Sequence, residues 1–94
     1  MFNRLENFLE LFPTNATSWS QATDEVYDLA RTSREFLDEY DDVTVEAVDF
    51  ATLDTPAKWN GVCREAIWHN YDLMRPHTQL LFNDYITERY GAKN

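Results

Sequence analysis

Cys63 and His69 are the residues of this chain whose types most readily suggest catalysis, because a cysteine activated by a histidine can act as a nucleophile. They lie six residues apart on one predicted helix, and at about 100° per residue their side chains point in different directions. Cys63 also falls in an apolar stripe, where a cysteine usually packs as a small buried hydrophobic residue. We therefore predict no catalytic residues and expect that the protein is not an enzyme.

Metal and cofactor sites need ligands at recognisable spacings, and the sequence offers few. Cys63, His69 and His77 are isolated, and Glu65 and His69 form only one pair at the i,i+4 spacing. The chain has two glycines, which leaves little room for a phosphate-binding loop or a dinucleotide motif. We expect no metal site and no cofactor.

The acidic residues are concentrated in one third of the chain. Between Asp24 and Asp54 there are eleven acids and only two basic residues, Arg31 and Arg34, whereas the rest of the chain has six of each. This region therefore accounts for the whole net charge of −9. On the second helix, the acids opposite the apolar stripe would be Asp24, Asp28, Glu35 and Asp38, joined by Asp42 if the helix extends that far. The predicted partner-binding residues are Asp24, Glu25, Asp28, Glu35, Asp38, Glu39, Asp41 and Asp42.

A plainer interpretation of the same acids is a solvated helix face. Every amphipathic helix needs a polar side, and acids there keep a protein soluble. Arg31 with Glu35 and Arg34 with Asp38 have the spacing of ordinary i,i+4 ion pairs. Both interpretations remain open from the sequence.

Four helices are predicted to position these residues. Apolar spacing predicts a helix over about 2–11, ended by Pro13. A second helix is expected over 18–40, with Ser18 and Gln21 as a capping box, and its apolar stripe includes Trp19, Ala22, Val26, Leu29, Ala30, Ser33, Phe36, Leu37 and Tyr40. Residues 41–54 fit an irregular connection, a short helix or a lone strand.

The two later helices follow proline signals. Thr55-Pro56 begins a third helix, and Arg75-Pro76 breaks or kinks it. The third stripe comprises Trp59, Val62, Cys63, Ala66, Ile67, Asn70 and Met74, with Trp68 and Tyr71 outside its centre as candidate interface anchors. The last stripe comprises Leu80, Leu81, Tyr85, Ile86 and Tyr90, followed by Gly91 as a cap. We predict an all-α fold, a compact bundle of about four helices.

Length and composition place these helices in one domain, residues 1–94. Hydrophobic residues make up 44% of the 94 residues, enough for one core. Cys63 is the single cysteine and no signal peptide opens the chain, so we expect a cytoplasmic protein. No apolar run could span a bilayer, and eight basic residues argue against direct binding to nucleic acid.

The leading hypothesis is therefore a small inhibitor or adaptor that binds a basic protein. In size and charge the chain resembles the acidic anti-defence proteins that phages encode against CRISPR or restriction enzymes, which implies mimicry of nucleic acid in the host cytoplasm and a nucleic-acid-binding enzyme as partner. The alternative is a structural or regulatory helical module that forms homo-oligomers through aromatic surfaces. A small enzyme with a dispersed site is a third alternative.

Overall fold

The predicted all-α bundle is confirmed. The computed structural model describes the backbone of residues 3–91 and the side chains of residues 5–49 and 51–89, and within these residues it contains four α-helices and no strand. The helices are α1 (Asn3–Leu9), α2 (Asp24–Asp41), α3 (Pro56–Leu73) and α4 (Pro76–Ile86). Short 3₁₀ turns cover Trp19–Gln21 and Phe50–Thr52, and a π-helical turn covers Thr87–Gly91.

The predicted start of the second helix at Ser18 is wrong. Thr23 is the N-cap residue of α2, and its Oγ1 accepts a hydrogen bond from the Val26 N–H at 3.4 Å. The Gln21 side chain does not complete a capping box, because its Oε1 accepts from the Thr17 N–H. As a result Trp19 lies outside the helix and is 53% exposed instead of buried in the apolar stripe.

A distant asparagine accounts for this irregular start. Asn60 on α3 is fully buried, and its Nδ2 donates to the carbonyl oxygens of Pro13 and Gln21, both at 2.9 Å. The neighbouring Trp59 donates from Nε1 to the Thr23 carbonyl oxygen. These bonds hold residues 13–23 against α3, and those to Gln21 and Thr23 use carbonyl groups that a helix continuing from Ser18 would need for its own ladder.

The boundaries of α3 and α4 agree with the proline signals. Thr55 Oγ1 accepts from the Lys58 N–H at 3.2 Å, with Pro56 in the first turn, and the chain breaks before Pro76. The predicted apolar face of α4 is wrong at Leu80, which is 54% exposed, whereas Ile86 is buried and Tyr85 packs against the core as predicted. The buried face consists of Thr78, Phe82, Asn83 and Ile86, while the Tyr90 side chain lies outside the described residues.

Helices α2 and α3 run parallel to each other. Trp59 bonds to Thr23 at their N-terminal ends, Asn70 bonds to Ser33 in the middle at 2.8 Å, and Arg75 follows α3 where it meets Asp41. Because the helices are parallel, the connection 42–55 must return over about 25 Å, the length of some 16 helical residues. The predicted irregular connection is thus explained as a crossover along the α2–α3 pair.

The core lies between α2, α3, α4 and α1. Its largest fully buried side chains are Tyr71, Phe82, Leu5, Leu9, Leu29, Leu37 and Ile67. Tyr71 was predicted as an interface anchor, but it is 1% exposed and its hydroxyl accepts from Asn83 Nδ2 at 2.9 Å. Trp68, the other predicted anchor, is half-buried and stacks edge-on against Tyr71. Tyr71 therefore presents no aromatic surface to a partner, whereas Trp68 keeps part of its side chain exposed.

Candidate functional site: the acidic face of the second helix

Seven of the eight predicted partner-binding residues lie on one outward face of α2. We call this surface the acidic ridge. Six of its members are exposed residues. The seventh, Asp28, is half-buried as a whole residue, but its side chain is 47% exposed. The ridge begins in the first turn of α2 and ends at the residue that caps its C-terminus. It consists of Asp24, Glu25, Asp28, Glu35, Asp38, Glu39 and Asp42.

Few cations neutralise the acidic ridge. Arg31 lies within it and binds Asp28 and Glu35, with N–O distances of 3.6 and 3.2 Å. The other five carboxylates have no ion pair within the described part of the chain. The expected pair of Arg34 with Asp38 does not form, because Arg34 turns toward a cleft between α2 and α3. The ridge therefore has seven negative charges and one embedded positive charge.

Asp41 was assigned to the partner-binding set, but its side chain is used inside the fold. It is 6% exposed; its Oδ2 accepts from the Arg75 N–H at 2.9 Å and its Oδ1 accepts from Thr78 Oγ1 at 2.6 Å. Arg75 is the N-cap residue of α4 and supplies no side-chain cap of its own. The Asp41 carboxylate therefore caps α4 from another helix, where the positive end of the helix dipole favours an anion.

The electrostatics of Asp41 agree with this capping role. Burial opposes ionisation, but the hydrogen bonds from Thr78 and from the Arg75 N–H, together with the charges of Arg75 and His77, outweigh it. They lower the pKa of the Asp41 carboxyl below its ordinary value. Its position four residues after buried Leu37 was the signal in the sequence that it faces the core.

The acidic ridge ends where the backbone turns sharply. Asp42 has φ 57° and ψ 39°, the left-handed conformation that usually ends a helix at glycine. The Val43 N–H donates to the Leu37 carbonyl oxygen at 3.0 Å, which closes the C-terminal turn. Val43 then packs against the core. This turn holds the Asp42 carboxylate at the end of the ridge and starts the crossover.

Apolar side chains border the acidic ridge. Tyr40 is 47% exposed and packs on Phe36 with ring centroids 5.3 Å apart. Phe36 in turn contacts Phe82 and Tyr85 of α4, at 5.3 and 5.7 Å. Aromatic groups next to a charged rim are typical of the central part of protein interfaces. The α2–α4 seam thus places an aromatic surface beside the acids.

A cleft of about 340 Å³ lies on the opposite flank of α2. Ala30 and Ala66 line it from the two parallel helices, and Val45 to Val48 line it from the crossover. Arg31, Arg34 and His69 are its basic residues. No pattern in the sequence indicated this cleft, because it depends on the path of the crossover.

The residues first considered for chemistry are not brought together. Cys63 is fully buried, and burial raises the pKa of its thiol to about 11, which makes it a poor nucleophile. His69 is exposed and lines the cleft. The described residues include no group of three or more histidine, cysteine or carboxylate side chains able to hold a metal ion, and no described helix is long and apolar enough to cross a membrane.

Comparison with protein-family models, with curated proteins and with solved structures finds no significant match to the chain. The acidic ridge and the surfaces beside it are therefore the basis for a functional proposal.

Proposed function

We propose that the protein is a small binding inhibitor or adaptor that engages a basic surface of another protein through the acidic ridge. The observation that supports this most directly is the set of five exposed ridge carboxylates without an ion pair within the described residues. The helix already fixes the backbone of these carboxylates, so only their side chains lose conformational freedom when a partner neutralises them. They also attract a basic partner over distances of about 10 Å at moderate salt.

Mimicry of nucleic acid is the specific form of this proposal. The ridge spans α2, 18 residues or about 27 Å, and one strand of B-DNA places about eight phosphates along that length. The seven ridge carboxylates approach that density on a single helix face. Such a row would occupy the phosphate-binding groove of an enzyme and exclude its substrate, as expected of an anti-defence protein.

The test is capture of a partner with two matched triple variants. The ridge variant carries Asp28→Lys, Glu35→Lys and Asp38→Lys, and the control carries Glu65→Lys, Asp72→Lys and Asp84→Lys, which are exposed acids on α3 and α4. Both variants change the net charge by the same amount. From a nuclease-treated host lysate at low salt, the wild type and the control should capture a basic protein that the ridge variant does not.

Displacement by an oligonucleotide then tests mimicry. If the ridge occupies a nucleic-acid groove, a DNA or RNA oligonucleotide should compete with the wild type for the captured protein. A partner that binds both at once would retain the adaptor role and refute mimicry. Equal capture by the two triple variants would refute the role of the ridge.

Self-association is the second candidate, favoured by exposed apolar side chains. Leu11, Tyr40, Leu73 and Leu80 are between 43% and 70% exposed, and exposed apolar surface can drive homo-oligomer formation. Such association should persist at high salt, whereas binding through the ridge should weaken. Sedimentation velocity at 0.05 and 1 M salt would separate the two.

A further inference from the structure

The acidic third of the chain contains two basic residues, and both line the same cleft. Arg31 and Arg34 are the only basic residues within 24–54, and both border the cleft of about 340 Å³ between α2, α3 and the crossover. His69 on α3 lines it as well, and Glu46 is the one acid among the described residues around it. The cleft is therefore a local basic site in a protein whose net charge is −9.

The guanidinium group of Arg34 has no partner for its charge among the described residues. It makes no ion pair and no hydrogen bond with them, although Arg34 is half-buried. Arg31 differs, because it already binds Asp28 and Glu35 of the acidic ridge. A guanidinium group offers five N–H donors in one plane, and two of them match the two oxygens of a carboxylate. Arg34 is thus the arginine of this cleft that is available to a ligand.

A second hydrogen-bond donor lines the cleft from α3. Asn70 is 4% exposed, and its Nδ2 donates to Ser33 Oγ at 2.8 Å. An asparagine amide has two N–H donors, and the second makes no hydrogen bond with the described residues. A ligand oxygen in the cleft would supply the acceptor that this N–H lacks. Arg34 on α2 and Asn70 on α3 therefore bring donors from two walls of the cleft.

Most of the remaining lining of the cleft is apolar. Ala30 and Ala66 line it from the two parallel helices, and Val45 and Val48 line it from the crossover. Both valines also pack against the core, which fixes the crossover side of the cleft. Small-molecule sites have volumes of about 300 to 1,000 Å³ and combine an apolar lining with a few polar groups. The cleft therefore suits a small ligand with an apolar body and one polar end.

We propose that the cleft binds a small organic monocarboxylate, with its carboxylate group on Arg34 and its apolar body against Ala30 and Ala66. A single negative charge fits best, because Arg31 is already held by two acids and Glu46 would repel a second anionic group. A neutral ligand would desolvate the Arg34 charge without pairing it. The inference does not depend on the proposed function, since no carboxylate of the acidic ridge lines the cleft.

Titrations followed by NMR test the proposal with three related compounds. The probe is 3-phenylpropionate; 3-phenylpropanamide has the same shape without the charge, and acetate has the charge without the apolar body. We expect 3-phenylpropionate to bind with a dissociation constant of about 1 mM, the affinity usual for so small a ligand. It should bind about tenfold or more tightly than either control. Its binding should shift the Arg34 Nε–H resonance and the amide resonances of residues 45–48.

Three results of these titrations would overturn the proposal. Equal affinity for the amide would show that the charge of Arg34 plays no part in binding. Equal affinity for acetate would show that the apolar lining plays none. Shifts confined to residues outside the cleft, or the lack of any shift at about 10 mM 3-phenylpropionate, would show that the cleft is not the site.

Two arginine variants provide a matched comparison. Arg34→Gln and Arg31→Gln remove the same charge from the same helix, one turn apart. Arg34→Gln should weaken 3-phenylpropionate binding about tenfold or more. Arg31→Gln should change it by no more than about threefold, because Arg31 already binds two ridge acids. Equal losses from the two variants would contradict the assignment of the carboxylate to Arg34.

Ala66→Leu tests the cleft without changing any charge. The larger side chain should occupy the space of the ligand's apolar body and weaken 3-phenylpropionate binding about fivefold or more, with Arg34 unchanged. Circular dichroism and urea unfolding show whether each variant keeps its fold. Unaltered binding by folded Ala66→Leu would place the ligand outside the cleft and overturn the proposal. Arg34→Gln should still capture the basic partner, so failure of this site and failure of the acidic ridge are distinguishable.

Discussion

Replacing Asp41 should destabilise the protein far more than replacing any ridge acid. The Asp41→Ala change removes two hydrogen bonds to a carboxylate and leaves the Thr78 hydroxyl, which is 1% exposed, without its acceptor. Hydrogen bonds to charged groups contribute about 1.5 to 3 kcal/mol each, so we expect the free energy of unfolding to fall by about 3 to 6 kcal/mol. The asparagine in Asp41→Asn keeps one acceptor oxygen, so this change should lower the free energy of unfolding by about 2 kcal/mol.

Urea unfolding at pH 7 measures these losses, with Asp38→Ala as the matched control. Asp38 is exposed and lies one turn earlier on the same helix. Asp38→Ala should therefore change the free energy of unfolding by no more than about 0.5 kcal/mol. The two variants remove the same charge from the same helix. They differ in whether the carboxylate caps α4.

The pH dependence follows from the lowered pKa of Asp41. Because the folded-state pKa is below the unfolded value of about 3.9, the stabilisation is fully present above that value and is lost as the pH falls through the folded pKa. The difference in free energy of unfolding between the wild type and Asp41→Asn should therefore be constant from pH 7 to about pH 5 and shrink below pH 4. A loss under about 1 kcal/mol for Asp41→Ala at pH 7 would refute the cap, as would a difference that does not change with pH.

Three further predictions concern single residues. In urea unfolding, Trp19→Ala should lower the free energy of unfolding by only about 1 kcal/mol and Trp59→Ala by about 3 kcal/mol. The reason is that Trp19 is 53% exposed, whereas Trp59 bonds to Thr23 and packs between Trp19 and Tyr27. Equal losses would contradict the irregular start of α2. Asp42→Gly should keep or raise stability and Asp42→Ala should lower it by about 1 kcal/mol, since Asp42 has a positive φ; the opposite order would contradict the helix end. Cys63 should react with a thiol reagent only at the rate of unfolding, because it is buried and the pKa of its thiol is raised to about 11; fast labelling of native protein would contradict its burial.

Local signals explain what the sequence predicted correctly. A proline restricts the backbone at its own position and at the residue before it. The bounds of α3 and the break before α4 therefore followed from the residue types at Thr55-Pro56 and Arg75-Pro76 alone. The outward acids of α2 followed from helical periodicity combined with charge. Five of these acids have no ion pair within the described chain, as a surface kept free for a partner would require.

Distant contacts explain what the sequence did not show. The start of α2 depends on Asn60, whose amide bonds to carbonyl groups 39 and 47 residues away. The face of α4 depends on polar residues that find partners in the core: Thr78 bonds to Asp41 and Asn83 bonds to Tyr71. Hydropathy assigns such residues to the surface, so periodicity placed Leu80 inside instead. The cleft could not be predicted because it exists only where two parallel helices meet the returning connection 42–55.

The most direct test of the central claim is the dissociation constant of the captured partner for the wild type and the two triple variants, measured between 0.05 and 0.5 M salt. We predict that the affinity of the wild type and of the Glu65, Asp72 and Asp84 variant falls steeply with salt, at least tenfold over this range. The Asp28, Glu35 and Asp38 variant should show no measurable binding at any salt concentration while keeping its helical spectrum. Equal affinity of the two triple variants, or an affinity of the wild type that does not change with salt, would contradict binding through the acidic ridge.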